Sequence, residues 1–476
     1  MFNTKYGFVL FFLFLGSTFN LCYGTEENLH RLRQVVTEHA EFQRQRRNEL
    51  QQQIRQAERD HRNALQTQTE LLRQDQLNVN NMMETARQNS GVASFAMNQI
   101  ITMQRQHVHQ LRDFCREGPN IYLSQEAFNS RLFDVRRTQV REWNVLCDTY
   151  PAFLDTRPQL PEVAEKYFVG LSIDGGGIKG LVSNLIMTHI EDLTGKKMID
   201  LVDLLGGSSV GGMLAAGIAV TGGNDIPLYD TKYFLNFFKQ EAKRIFPNSW
   251  WNEARSLFTS KYSPVPLENT LQNLFGDKTL LDVVKPLVVP ALTTNHVPFI
   301  FSTKQAQESV LNNFYLRDVC RAASAAPVYF PAARIRNIQG NTEQHLVDSG
   351  LNINNPAYLV YKTMKQYYQS LGCTKNNSVI LSLGTGNGEN SAIPHASGGI
   401  DAEAIIAGLM NSTTNNVNQQ LLEKLGSRFL RINPMIGRVE LDATEDSVLS
   451  QLEFSVETVH RDLEPISRFL AENHAR

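Results

Sequence analysis

Two short glycine-rich turns, each set between an apolar run and a helix-forming one, constrain this chain more than any other feature. The first is Asp174-Gly175-Gly176-Gly177-Ile178-Lys179-Gly180, which follows the strand-like run Tyr167 to Ile173 and precedes a helical stretch from about Lys179 to Leu193. The second is Gly207-Ser208-Ser209-Val210-Gly211, which follows the apolar Leu201 to Leu205 and opens the helical Val210 to Val220. Strand, tight turn and helix in repetition predict an α/β fold, with a mostly parallel sheet covered by helices on both faces. Val284 to Leu292, Phe299 to Ser302, Gln344 to Val347 and Ser378 to Leu383 read as further strands. Sites in such sheets lie at the carboxyl ends of the strands, where both turns fall.

The second turn is G-x-S-x-G in strand–turn–helix context, the signature of a nucleophile elbow. Its tightness favours flanking residues without a Cβ. Ser209 then projects above the sheet edge, near a helix N-terminus whose dipole favours developing negative charge. The competing reading is an ordinary Gly-Ser turn. The first turn can gather the amides of Gly175, Gly176 and Gly177 into one concavity, which suits an oxyanion hole. Lys179 adds positive charge nearby. A phosphate-binding Walker loop is disfavoured, because Lys179 is followed by Gly180 where that motif needs Ser or Thr.

A serine nucleophile needs a base. Ser209, Asp348 and His395 stand in the order of α/β-hydrolase triads. His395, however, sits in the polar loop Ile393-Pro394-His395-Ala396-Ser397-Gly398-Gly399, whereas Asp348 ends an apolar strand and enters Asp348-Ser349-Gly350. A carboxylate so placed faces the same site as an elbow serine, which favours a Ser209–Asp348 dyad over a triad. Read alone, Asp348 is better taken as a turn or capping aspartate.

With these residues in view, the stretch from about Tyr167 to Val459 resembles the patatin-like phospholipase family. Asp174 to Gly180 is similar to its oxyanion loop, Gly207 to Gly211 to its elbow, and Asp348-Ser349-Gly350 to its Asp-Gly-Gly/Ala motif. Ala323-Ser324-Ala325-Ala326-Pro327, Tyr329-Phe330-Pro331, Asn354-Asn355-Pro356 and Ser382-Leu383-Gly384-Thr385-Gly386 also look like the family. The resemblance implies a three-layer α/β/α domain over 167–459. It also implies a lipid acyl hydrolase with Ser209 as nucleophile and Asp348 as dyad aspartate, acting on phospholipids or other glycerolipids at a membrane or micelle surface. No cofactor and no catalytic metal are implied. Ser349 departs from the pattern, standing where the family usually has glycine.

The rest of the chain sets the context. Residues 1–24 read as a signal peptide, with an apolar core from Gly7 to Leu15 and small side chains in Cys22-Tyr23-Gly24; this implies export, the alternative being an uncleaved anchor. Residues 25–117 are rich in helix formers and lack proline. They read as one or two long helices whose coiled-coil pattern fails at His61 and Gln68, favouring a solvated extension packed on its own chain over the alternative, a candidate surface for self-association or a protein partner. Residues 118–166 connect this segment to the domain, and 460–476 end the chain as a helix. Of the four cysteines beyond a cleavage site, Cys115 and Cys147 are the preferred disulfide pair, while Cys320 and Cys373 suit buried thiols. The net charge of −2 gives no electrostatic reason to expect nucleic acid. Ile245-Phe246-Pro247 and Trp250-Trp251 are candidate lipid contacts. An exported scaffold or adhesin with an inactive α/β domain is the second functional class.

Overall fold

Short apolar runs with side chains alternating between two covered faces build the centre of this protein. The computed structural model describes residues 160–475, apart from 162, 164–165, 247–259, 388–401 and 437–438, and gives the backbone alone for 402–409. The expected signal peptide, the 25–117 segment, Cys115, Cys147, His395 and Trp250-Trp251 lie outside the described residues.

The chain runs through β1 (Phe168–Ile173), α1 (Gly180–Thr194), β2 (Leu204–Gly207), α2 (Val210–Ala219), the hairpin β3 (Thr221–Gly223) and β4 (Ile226–Pro227), and α3 (Thr231–Ile245). It continues with α4 (Val265–Phe275), β5 (Leu287–Thr293), β6 (Pro298–Ser302), α5 (Thr303–Glu308), α6 (Leu316–Ala323), β7 (Ala333–Arg336) and β8 (Glu343–Asp348). The last elements are α7 (Ala357–Tyr367), β9 (Ser378–Leu383), α8 (Ala402–Leu425), β10 (Phe429–Ile432), α9 (Asp446–Glu457) and α10 (His460–Ala475). The sheet order is β10-β9-β1-β2-β5-β8-β7, with β6 also paired to β5. Pairing is parallel from β10 through β5 and antiparallel for β6, β8 and β7. The sheet is thus mixed and mostly parallel, as the sequence pattern leads one to expect.

Period-two alternation sorts the side chains into two cores. Val379, Leu381 and Leu383 of β9 join Leu205, Val289 and the helices α1 and α2 on one face. Ile380 joins Leu204, Val288 and α7 residues Val360 and Met364 on the other. Covered on both faces, β1 and β9 are almost wholly buried, which is why they read as continuous apolar runs. The C-terminal helix α10 packs on α1. Its Asn473 accepts the Tyr167 N–H at 2.7 Å and donates to the Tyr167 carbonyl at 3.1 Å, closing the entry to β1. Residues 460–475 therefore belong to the packed domain rather than trailing it.

One detail of the topology positions everything that follows. Val288 of β5 pairs with Gly206 and Ser302, and Ala291 with Phe299 and Asp348. A strand has two edges, so β2 and β8 follow one another along the edge opposite β6. Because β2 is parallel and β8 antiparallel to β5, their carboxyl ends meet. Cys320 and Cys373 are both buried free thiols.

The helix α2 starts hard against the end of β1. An ideal Cβ on Gly211 would lie 2.3 Å from the Ile173 carbonyl oxygen and 2.6 Å from that of Asp174. Gly211→Ala is therefore expected to lose about 1–3 kcal/mol or more of stability, read as a lower Tm in thermal denaturation.

Candidate functional site

The elbow forms where β2 ends. The Ser208 N–H donates to the Ile173 carbonyl at 3.1 Å, anchoring the turn to β1. Ser209 then sits at φ 51 and ψ −123, immediately before α2. A non-glycine residue there holds strain of about 1–3 kcal/mol. The flanking glycines make this geometry attainable: a Cβ on Gly207 would fall 2.0 Å from the Gly211 carbonyl oxygen.

The carboxyl end of β8 brings Asp348 to the same point, where it shares one cavity with Ser209 and the Ser209 hydroxyl favours its charged form. The Asp348 Oδ1 accepts the Gly350 N–H at 2.7 Å. Burial pushes the Asp348 carboxyl up to about 6, against the opposing effect of the Ser209 hydroxyl and the Gly350 amide. Ser349 is fully buried and turns away from the aspartate. Its hydroxyl donates to the Pro290 carbonyl of β5 at 3.1 Å, so the Ser208 hydroxyl donates to Ser349 Oγ at 3.2 Å. The serine that departs from the family pattern thus pins the ends of β2 and β8 to each other and to β5.

The first glycine turn faces this pair. Asp174 is held by a forked contact from Arg431 of β10, at 2.9 and 2.6 Å, and Arg431 also donates to Ser382 at 2.8 Å. Burial pushes the Asp174 carboxyl up, and the guanidinium opposes that. The Gly175 N–H donates to the Asn354 carbonyl at 3.1 Å. That amide is spent, which narrows the expected trio of oxyanion donors to Gly176 and Gly177. Among the described residues neither of these two N–H groups has a backbone partner outside regular structure. Lys179 is half-buried and makes no ion pair among the described residues, and burial pushes its ammonium down to about 8.

Gly176, Gly177, Ser209 and Asp348 line one cavity of about 1030 Å³, counting the space at its open mouth. Its other walls are apolar: Ile178, Val210 and Met213, then Phe237, Phe238, Ala242 and Ile245 from α3, then Ala326, Pro327, Tyr329 and Phe330. The helix α3 is capped by Asp230, which accepts the Tyr233 N–H at 2.8 Å. No histidine is among the described lining residues. The Ala323–Pro327 and Tyr329–Pro331 stretches, which had no role assigned from sequence, thus supply cavity wall. Arg431 went unnoticed in sequence; a lone charge inside the apolar Phe429–Ile432 was its only signal.

The fold and site together define an α/β protein with a nucleophile elbow, a buried acidic partner and a glycine turn facing both. Residues 171–361 match the family model Patatin-like phospholipase, and they are a domain of that family. Patatin-like protein 1 of Oryza sativa subsp. indica is 30% identical over 240 residues, which cover 46% of this chain and 58% of that one. The match thus spans less than two thirds of that relative. Probable inactive patatin-like protein 9 of Arabidopsis thaliana is 29% identical over 272 residues, covering 53% and 70%. The solved structure of human GIVD cytosolic phospholipase A2 in complex with methyl gamma-linolenyl fluorophosphonate matches at 12% identity and a TM-score of 0.33. It covers 74% of this chain and 65% of that one, a likeness too slight to carry an argument.

The Asp348 pKa of about 6 lies above the ordinary unfolded value near 3.9. Proton binding to Asp348 therefore favours the folded state, and that contribution is lost as pH rises through 6. Asp348→Asn removes the cost of the buried charge. It is expected to raise Tm at pH 8 relative to wild type, with the gain shrinking toward pH 4, as read by thermal melts at both.

Proposed function

We propose that this domain is a lipid acyl hydrolase that cleaves fatty-acyl esters of glycerolipids through an acyl-enzyme on Ser209. The observation that carries the reading is that a strained serine and a buried carboxyl group line one apolar cavity together. Asp348 takes the proton from Ser209 as the hydroxyl oxygen attacks the ester carbonyl. The amides of Gly176 and Gly177 hold the oxyanion. Protonated Asp348 gives that proton to the departing oxygen, so the alcohol or lysolipid leaves while the acyl chain remains in the apolar cavity; Asp348 then takes a proton from a water that attacks the acyl-enzyme, and returns it to the Ser209 oxygen as the fatty acid is released. Membership of the patatin-like phospholipase family supports a lipid hydrolase. A lipid surface as the place of action, and export of the protein, are part of the same proposal.

Ser209→Ala is expected to abolish ester hydrolysis and labelling by a fluorophosphonate probe while leaving the fold intact by circular dichroism. Normal turnover by that variant, or no labelling of wild type, rejects the nucleophile; the second result favours the non-enzymatic scaffold. A base must be unprotonated to act, so kcat/KM of wild type is expected to fall as pH drops below about 6, the value for Asp348. An acid limb centred near 4 removes Asp348 in its buried state from that role.

Ala242 is the smallest α3 side chain on the cavity wall. Ala242→Phe fills space that an acyl chain needs, at a position removed in sequence from Ser209. The kcat/KM ratio of hexadecanoyl to butanoyl p-nitrophenyl esters is expected to fall about tenfold or more. An unchanged ratio places the acyl chain elsewhere.

A further inference from the structure

An amide that must receive a transient oxyanion has no partner in the resting enzyme, so something else must aim it. The peptide between Gly175 and Gly176 shows what. Its carbonyl oxygen accepts the hydroxyl of Thr385 at 2.8 Å, from a side chain that is itself buried. In a trans peptide the C=O and the N–H point in opposite directions. A donor on the Gly175 carbonyl therefore fixes the Gly176 N–H on the other side, and Gly176 lines the cavity with Ser209. The next peptide repeats the arrangement: the Gly176 carbonyl accepts the Lys179 N–H at 3.2 Å, which turns the Gly177 N–H the other way.

The two peptides differ in what holds them. The second is set by a local 3₁₀ turn, Gly177–Lys179, formed by the chain itself. The first depends on one side-chain hydroxyl from 210 residues away. Thr385 is placed with matching care. Its turn is pinned by the Gly384 N–H to the Ile432 carbonyl at 2.8 Å, by the Ser183 hydroxyl to the Gly384 carbonyl at 2.9 Å, and by the Gly386 N–H to Asn433 Oδ1 at 2.8 Å. The threonine also lies over the Gly176 Cα: a Cβ added there would fall 2.4 Å from Thr385 Oγ1. Glycine at 176 and a hydroxyl at 385 are two halves of one contact.

From this we infer that Thr385 is a positioning residue of the oxyanion hole: its hydroxyl sets the plane of the Gly175–Gly176 peptide and so aims the Gly176 amide. The inference rests on the acyl-hydrolase reading above. Without the hydroxyl, the Gly175 carbonyl is a buried acceptor with no donor, and the peptide rotates toward a new one. The amide then leaves the line of the oxyanion. Because the contact matters only when negative charge develops, its loss lowers kcat and leaves KM nearly unchanged.

The test compares Thr385→Val, which keeps shape and removes the hydroxyl, with Thr385→Ser, which keeps the hydroxyl and removes the methyl. Each is made in the full chain and assayed for kcat and KM on p-nitrophenyl butyrate and for the second-order rate of fluorophosphonate labelling. Since removing one oxyanion donor costs about 10²–10³ in kcat, misaiming one is expected to cost Thr385→Val about ten- to a hundredfold. KM should stay within about twofold, and the labelling rate should fall in step. Thr385→Ser is expected to stay within about threefold of wild type, since it retains the donor. If the valine variant does not fold, Thr385→Ala against Thr385→Ser reads the same contrast. Equal losses in the hydroxyl-bearing and hydroxyl-free variants, or full activity in both, overturn the inference. An inactive, unlabelled wild type overturns the hydrolase reading instead, and with it any catalytic role for Thr385.

Discussion

The site exists because two strands of opposite direction end against each other on one edge of β5. Parallel β2 delivers Ser209 and antiparallel β8 delivers Asp348, and the register brings both to one cavity. Neither residue needs a long loop to reach the other. The junction would be a weak point of the sheet, since both ladders stop there. The Ser208–Ser349–Pro290 chain of hydrogen bonds closes it with side chains. Glycine at 349 would leave the Ser208 hydroxyl and the Pro290 carbonyl to find other partners. The serine therefore reinforces the site it departs from by family pattern.

Function here is set against stability at two adjoining points. Ser209 is held at a positive φ that a non-glycine residue resists, and Asp348 is held as a carboxylate where burial disfavours its charge. Both costs are local, and both are offset by the two apolar cores that grip β1, β2 and β9 from either face. Strain of this kind persists only where the surrounding packing over-determines the geometry. The close approach of Gly211 to the end of β1 is that over-determination in its most direct form.

The sequence was most legible where one short segment carries the whole signal. The elbow, the glycine turn and the strands β1, β6, β8 and β9 are local patterns, and they form where the apolar runs place them to within a residue; β5 begins at Leu287, after Pro286, rather than at Val284. The short β7 alternates buried and exposed residues around two arginines, so it shows no apolar run. Likewise β10 carries Arg431 inside its four residues. What the sequence could not display was pairing across distance. Nothing in Asp174 to Gly180 says that the Gly175 amide is taken by Asn354, or that Asp174 is gripped from β10. The three glycines look equivalent on the page; only the folded chain separates one whose amide is already bonded from two that line the cavity.

That separation follows a general logic. An oxyanion hole works by being ready before the charge appears, so its donors must be aimed without touching the thing they will bind. The only handle left is the far side of each peptide and the residues that flank the turn. In this protein the contacts that hold the glycine turn proposed for that role are the Leu441 carbonyl under Ile178, the Asn354 carbonyl on Gly175, the Leu383 carbonyl on Asp174, and the Arg431 fork on the Asp174 carboxylate. They come from four separate regions of the chain. Glycine makes the turn possible but supplies no rigidity of its own, having the most conformational freedom to lose. The rigidity is imported, contact by contact, and the motif that looks self-sufficient in sequence is the part of the site most dependent on the rest of the fold.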